Sequence, residues 1–273
     1  MVNLLDGMVI SLRKAKMWTC IIGICVLAFI SATWLFGGVK PYYESNQMIK
    51  AIRNDDIEKL EELLQSGADP NAPNGFYKGI WKYINSFCET APDFPLSVAC
   101  SRGNLQMVHL LLDYGADPIL TEQDEFGWSA LSCAIMASEN EDCIEIVELL
   151  IANGANIDSK EDYYRPVVLA SMQSPAEGYP GPEGEQEHAE RIVELVMLLM
   201  GDMDVNCQEE SYTLLMNAAL RGNLSLTEYL LSIGADPRIQ SDDGRTAYDF
   251  AIMWEHHDVA EVLSQWRDEN AKE

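Results

Sequence analysis

The tetrapeptide Gly-Ala-Asp-Pro stands three times in this chain, at 67–70, 115–118 and 234–237, and Gly154-Ala155-Asn156 is a close copy. An apolar pair lies just upstream of each: Leu63-Leu64, Leu111-Leu112, Leu150-Ile151 and Leu230-Leu231. Two residues separate pair from glycine every time. Glycine closes helices because it enters the left-handed region without a Cβ penalty. A helix stop that recurs at long intervals constrains the chain to stacked repeats, in which each unit buries its apolar face against its neighbours.

From glycine to glycine, 67 to 115 is 48 residues, 115 to 154 is 39 and 154 to 234 is 80. The last gap holds a degenerate copy, Asp202-Met203-Asp204-Val205-Asn206, after Leu198-Leu199, with Asp202 in the glycine slot. Aspartate tolerates the left-handed conformation better than most residues. The spacing then reads as a unit of about 33 residues carrying insertions. Two further landmarks recur. Arg102-Gly103-Asn104-Leu105 and Arg221-Gly222-Asn223-Leu224 precede Gly115 and Gly234 at equal distances, each marking a tight turn between two helices, with small residues before it (Ala99-Cys100, Ala218-Ala219). Asp124 with Gly127 and Ser129, and Asp243 with Gly244 and Thr246, open units with a turn glycine and a hydroxyl residue suited to cap a helix.

Turn, short helix, turn, longer helix and loop together resemble the ankyrin repeat. The match is fullest from Phe94-Pro95-Leu96-Ser97-Val98-Ala99-Cys100 to Gly115-Ala116-Asp117-Pro118, and from Tyr212-Thr213-Leu214-Leu215 to Gly234-Ala235-Asp236. The resemblance spans about 45–267 and divides into six units: 45–72, 93–120, 121–158, 159–206, 207–238 and 239–267. It implies an all-α, ankyrin-like helical solenoid of about six repeats. The first unit lacks the Thr-Pro-Leu opening, and 268–273 form a charged tail, as end units that face water require.

Residues 17–38 contain no charged side chain. At about 1.5 Å per residue they reach roughly 33 Å, the thickness of a bilayer core. Trp18 and Trp34 lie near the ends, Arg13, Lys14 and Lys16 precede the run, and Lys40 follows. The length and flanks favour one uncleaved transmembrane helix over a cleaved signal peptide. The expected layout is a cytoplasmic segment at 1–16, a signal anchor at 17–38, and a repeat domain facing the periplasm or exterior of the inner (cell) membrane. Arrays placed beyond a single anchor suggest a bacterial protein.

Insertions into a stack map to loops and are candidates for specificity. The stretch 73–92 carries Phe76, Tyr77, Ile80, Trp81, Tyr83, Ile84 and Phe87. Aromatic clusters of this kind are enriched at protein contacts; a satellite core over the same repeats, or rings resting at a membrane interface, would use the same residues. The stretch 173–187, with three prolines, three glycines and four glutamates, reads as a solvated loop. Residues 137–142 lengthen one interhelical turn. Turn tips offer Phe126, Trp128, Tyr163 and Tyr164. The candidate protein-binding residues are therefore Phe76, Tyr77, Trp81, Tyr83, Phe126, Trp128, Tyr163 and Tyr164.

Catalytic signatures do not emerge. The seven cysteines show no C-x-x-C or zinc spacing, and no P-loop, Gly-x-Ser-x-Gly or Gly-x-Gly-x-x-Gly occurs. Cys100 and Cys133 fit small apolar slots, whereas Cys88 and Cys143 leave a redox or enzyme-accessory role open. Glu255-His256-His257-Asp258 has metal-binding residue types, but His256 falls where the ankyrin pattern itself places histidine. His109 sits among Val108, Leu110 and Leu111 as a structural residue, His188 opens a helix, and Asn223-Leu224-Ser225 is a sequon within an expected turn. The expectation is no enzyme, no cofactor and no metal. A net charge of −26 keeps the chain soluble, repels nucleic acid and steers a basic partner toward it. The resemblance implies protein–protein binding. Small acidic bacterial proteins of this layout can also act as immunity proteins that neutralise a secreted antibacterial toxin such as a phospholipase, and a membrane organiser remains a further alternative.

Overall fold

The computed structural model describes residues 39–73, 94–120, 128–157, 166–174 and 182–270. Among them lie twelve helices in six consecutive pairs. In chain order these are α1 (Val39–Arg53) with α2 (Ile57–Gln65), α3 (Pro95–Ser101) with α4 (Leu105–Asp113), and α5 (Ala130–Met136) with α6 (Cys143–Ala152). They continue with α7 (Pro166–Ser171) and α8 (Pro182–Met200), α9 (Leu214–Arg221) and α10 (Leu224–Ser232), and α11 (Ala247–Met253) and α12 (His257–Asn270). An isolated antiparallel bridge joins Glu209 and Tyr212.

Each second helix buries one apolar pair at i, i+4, the spacing that places two side chains on one helical face. The pairs are Leu60/Leu64, Met107/Leu111, Ile146/Leu150, Leu195/Leu199, Leu226/Leu230 and Val259/Leu263, all at most 3% exposed. From α3 onward the first helices are short, and all six carry small residues at the same place (Ala51, Ala99, Ala134, Ala170, Ala218, Ala251), each nearly inaccessible. Small side chains let successive first helices approach closely. The principal helix contacts follow: α1, α3, α5, α7, α9 and α11 touch in sequence as one layer, and α2, α4, α6, α8, α10 and α12 as a second. A stack joined only by nearest neighbours is the arrangement expected of a solenoid.

Helix ends repeat as faithfully as the core. The Ala68 amide donates to Leu63 O and the Gly67 amide to Leu64 O; Ala116 and Gly115, Ala155 and Gly154, and Ala235 and Gly234 repeat the pattern. This is the Schellman closure, with the glycine left-handed. The first helices close in the same way on Asp55, Gly103, Gly222 and Glu255, all at positive φ. Side chains then cap the next helix. Asp56 accepts from Lys59 N, Asn104 from Met107 N and Asn223 from Leu226 N. Ser129 and Thr246 cap α5 and α11 as the sequence predicts, and Thr213 caps α9. Loops are stitched laterally: Asn71 bonds the Asp117 amide and Gly115 O, and Asn206 repeats this with Asp236 and Gly234.

Three expectations are corrected. In the fourth unit the left-handed residue is Gly201 (φ +49), one position before Asp202. Glycine adopts that conformation at no steric cost, so the chain uses it where the spacing pointed to aspartate. Next, α8 begins at Pro182, so 182–187 form helix rather than loop, and His188 lies in the second turn. Proline is pre-set for a first helical position, and the acidic residues after it suit the positive helix start. The membrane localisation is the third. Among the described residues no helix is long and apolar enough to cross a membrane. The long α8 opens Pro-Glu-Gly-Glu-Gln-Glu, a charged sequence that a bilayer core would not accept. Residues 17–38 lie outside the described residues, and neither the anchor nor a periplasmic placement is carried forward.

Candidate functional site

The layer of first helices, with the turn tips that precede them, is the side on which partner contacts are expected. Of the eight residues predicted there, Phe76, Tyr77, Trp81, Tyr83, Phe126, Tyr163 and Tyr164 lie outside the described residues. Trp128 is half-buried and packs against the core beside α5, so much of its ring area is committed internally.

The described part of this side contains a groove that the sequence did not reveal. It lies between α7 and α9 and has a volume of about 260 Å3. Val168 and Met172 contribute from α7 and its end, and Leu220, Asn217 and Arg221 from α9. Glu209, Glu210 and Tyr212 complete it from the tip before α9. The wall is held from within. Asn217 Nδ2 donates to Ser171 Oγ at 3.2 Å, and Ser171 Oγ donates to Val168 O at 2.7 Å, tying the two helices together under the groove. Tyr212 packs obliquely on Phe250 of the next unit, with ring centroids 5.4 Å apart. Arg221 brings a cation whose Nε is buried without a hydrogen-bond acceptor among the described residues.

The tip itself is strained. Glu209 and Tyr212 exchange two backbone hydrogen bonds of 2.9 Å, and both residues between them have positive φ, Glu210 at +47° and Ser211 at +76°. A two-residue hairpin with both central residues left-handed favours Asn-Gly. Glutamate and serine there cost on the order of 1 kcal/mol or more each. The corresponding tip of the sixth unit uses Gly244 at +78° instead. Ser211 Oγ is fastened to Asp242 of that next tip.

His188, His256, Cys100 and Cys143 have structural places. His256 Nε2 lies 3.1 Å from Leu220 O and joins the last two units. Among the described residues no group of three or more metal-capable side chains is found. His188 is buried with Nε2 3.0 Å from Ser138 Oγ, so it secures α8 to the turn after α5. His109, read as a structural residue from its apolar neighbours, is exposed, because it lies opposite Met107, Val108 and Leu111 on α4. Asn223 is fully buried as a cap, which removes its sequon from a glycosylating enzyme. Burial drives the Cys100 thiol upward in pKa, and burial pushes Cys143 up to about 12, while its Sγ donates to Ala134 O. That overturns Cys143 as the reactive thiol, because the thiolate is the reacting species; Cys88 lies outside the described residues. In the folded chain at neutral pH, Cys143 is therefore expected to resist iodoacetamide and to alkylate only after denaturation. Mass spectrometry of the labelled peptide reads this directly, and rapid native labelling would contradict it.

Comparison with known proteins follows the same geometry. A family model for ankyrin repeats, in three copies, matches residues 48–161 and 186–272. Among curated relatives, a provisionally assigned palmitoyltransferase of Danio rerio is 26% identical over 245 residues, covering 82% of this chain and 35% of that protein. A homologue of transient receptor potential cation channel subfamily A member 1 in Caenorhabditis elegans is 23% identical over 209 residues, covering 64% of this chain and 16% of that protein. The chain thus spans about a third or less of these relatives' length. Among solved structures, one chain of a complex between a predatory endopeptidase of Bdellovibrio bacteriovorus and an immunity protein superimposes with a TM-score of 0.57 and 24% identity. The match covers 81% of this chain and 98% of that one, and it shows a shared fold.

Proposed function

Because this chain belongs to the ankyrin repeat family, we propose that it is a non-enzymatic binding protein whose first helices and turn tips engage another protein. The observation that carries this reading is the layer of six first helices touching in sequence, with the groove between α7 and α9 set into it. Fold alone argues for binding only by analogy; the aromatic tips and the groove beside α9 add chemistry suited to a protein surface. The net charge of −26 favours a basic partner and disfavours nucleic acid. Phe76, Tyr77, Trp81, Tyr83, Phe126, Trp128, Tyr163 and Tyr164 remain the proposed contact residues, with Trp128 acting through its exposed edge. The test is affinity capture with the full chain, followed by the Trp81→Ala and Trp128→Ala variants. Loss of a captured protein supports the assigned tips, and unchanged capture removes them.

A second reading, that the protein is an immunity partner of an antibacterial toxin, draws on one observation. A solved structure that shares this fold holds an endopeptidase in complex with an immunity protein. A toxin gene adjacent to this one, and survival of toxin-expressing cells when this chain is supplied, is the expected result. Cell death despite ample expression would leave the general binding reading in its place.

A further inference from the structure

We propose that the groove between α7 and α9 receives a basic, apolar stretch of the partner, with one large apolar side chain inserted and a neighbouring lysine or arginine set against Glu210. This rests on the protein-binding reading above and gives the partner's chemistry at one place. The groove's volume, about 260 Å3, is enough for one large side chain. Its apolar wall of Val168, Met172, Tyr212 and Leu220 asks for a hydrocarbon or ring. Met172 adds a flexible, polarizable surface that adapts to either.

Charge decides the rest. Glu210 is exposed at the strained tip, and Glu209 lines the same groove. Asp242 stands next to them, fastened through Ser211. Among the described residues that line the groove, the carboxylates Glu209 and Glu210 outnumber the cation Arg221. An acidic segment, or a second copy of this chain with its own charge of −26, is repelled there. Arg221 is not opposed by a carboxylate ion pair among the described residues, so its guanidinium is available to a backbone carbonyl of the incoming strand. The tip also holds a carboxylate in a backbone conformation where Asn-Gly would be relaxed, and such local strain is concentrated at working surfaces.

The test uses the full-length chain and short extended synthetic peptides with a central leucine flanked by lysines. Fluorescence anisotropy gives affinity, and the methyl resonance of isotopically labelled Met172 reports the place. The expected results are saturable binding that moves the Met172 signal, at least tenfold weakening by Glu210→Lys, and smaller weakening by Glu210→Gln. Peptides with glutamate for lysine, or alanine for leucine, should bind at least tenfold more weakly. Glu210 is exposed, so circular dichroism of the Glu210→Lys chain should match the parent. Equal affinity for the Glu210→Lys chain, preference for the glutamate peptide, or an unmoved Met172 signal overturns the proposal. If the Glu210→Lys chain fails to bind peptide but captures the partner protein undiminished, the groove is not the docking place while the binding reading stands. If the parent chain captures no protein yet binds peptide as described, the groove chemistry stands and the broader reading fails.

Discussion

Leu150→Ala is expected to lower the unfolding free energy by about 2–5 kcal/mol, the range for emptying a buried leucine site in a packed core. Leu150 is inaccessible to solvent, pairs with Ile146 on α6, and its carbonyl accepts the Ala155 amide that closes the helix. Helix α6 is flanked by α4 and α8, so the cavity weakens two interfaces at once. In a linear array the damage stays local, and the two halves should separate in stability. Urea denaturation followed by circular dichroism should show a lower first midpoint and a broadened or split transition. Ile151 beside it is only half-buried, and Ile151→Ala should cost distinctly less. Equal effects at the two positions, or a loss below about 1 kcal/mol at Leu150, would contradict the assigned core.

Gly222→Ala is expected to cost about 2–3 kcal/mol, and Gly67→Ala only about 1 kcal/mol. Both glycines are left-handed, at φ +69° and +89°, so both substitutions carry the backbone penalty. They differ in what a Cβ would meet. At Gly67 nothing lies within 4 Å, whereas at Gly222 the new carbon would stand 2.4 Å from His256 Nδ1. The imidazole must move, and its 3.1 Å contact with Leu220 O between the fifth and sixth units goes with it. His256→Ala in the Gly222→Ala background should relieve the clash, so the two losses should add to less than their sum. Thermal unfolding of the four chains measures this. Additive losses, or equal effects at Gly222 and Gly67, would show that His256 does not rest on this turn.

The repeated elements were legible because their causes are local. A glycine three or four residues beyond a buried leucine, a small residue before a turn, and a hydroxyl before an apolar run each specify one piece of backbone. Each recurs, so errors in one unit are corrected by another. The misplacements fell where recurrence fails. Asp202 fits the count of residues, but Gly201 beside it is the less strained choice. The segment from Pro182 reads as loop by composition, although proline followed by glutamates is also how a helix opens. The groove was hidden for a different reason. Val168 and Met172 meet Tyr212, Leu220 and Arg221 across a gap of about forty residues, and only the register of one unit on the next brings them together. The strain at Glu210 and Ser211 was likewise invisible, because neither residue type announces a left-handed backbone. A comparison of the fifth tip with the sixth, where Gly244 takes the equivalent place, was the available signal.

The central claim is that six helix pairs are held by neighbours alone, and removal of the last pair tests it most directly. A chain ending at Arg238 lacks α11 and α12 but keeps every contact among the first five pairs. Circular dichroism of that chain should show the helical signal of the remaining pairs and a cooperative melt at lower temperature. Loss of essentially all helical signal on this deletion would mean that the core closes on itself, which a nearest-neighbour stack does not permit.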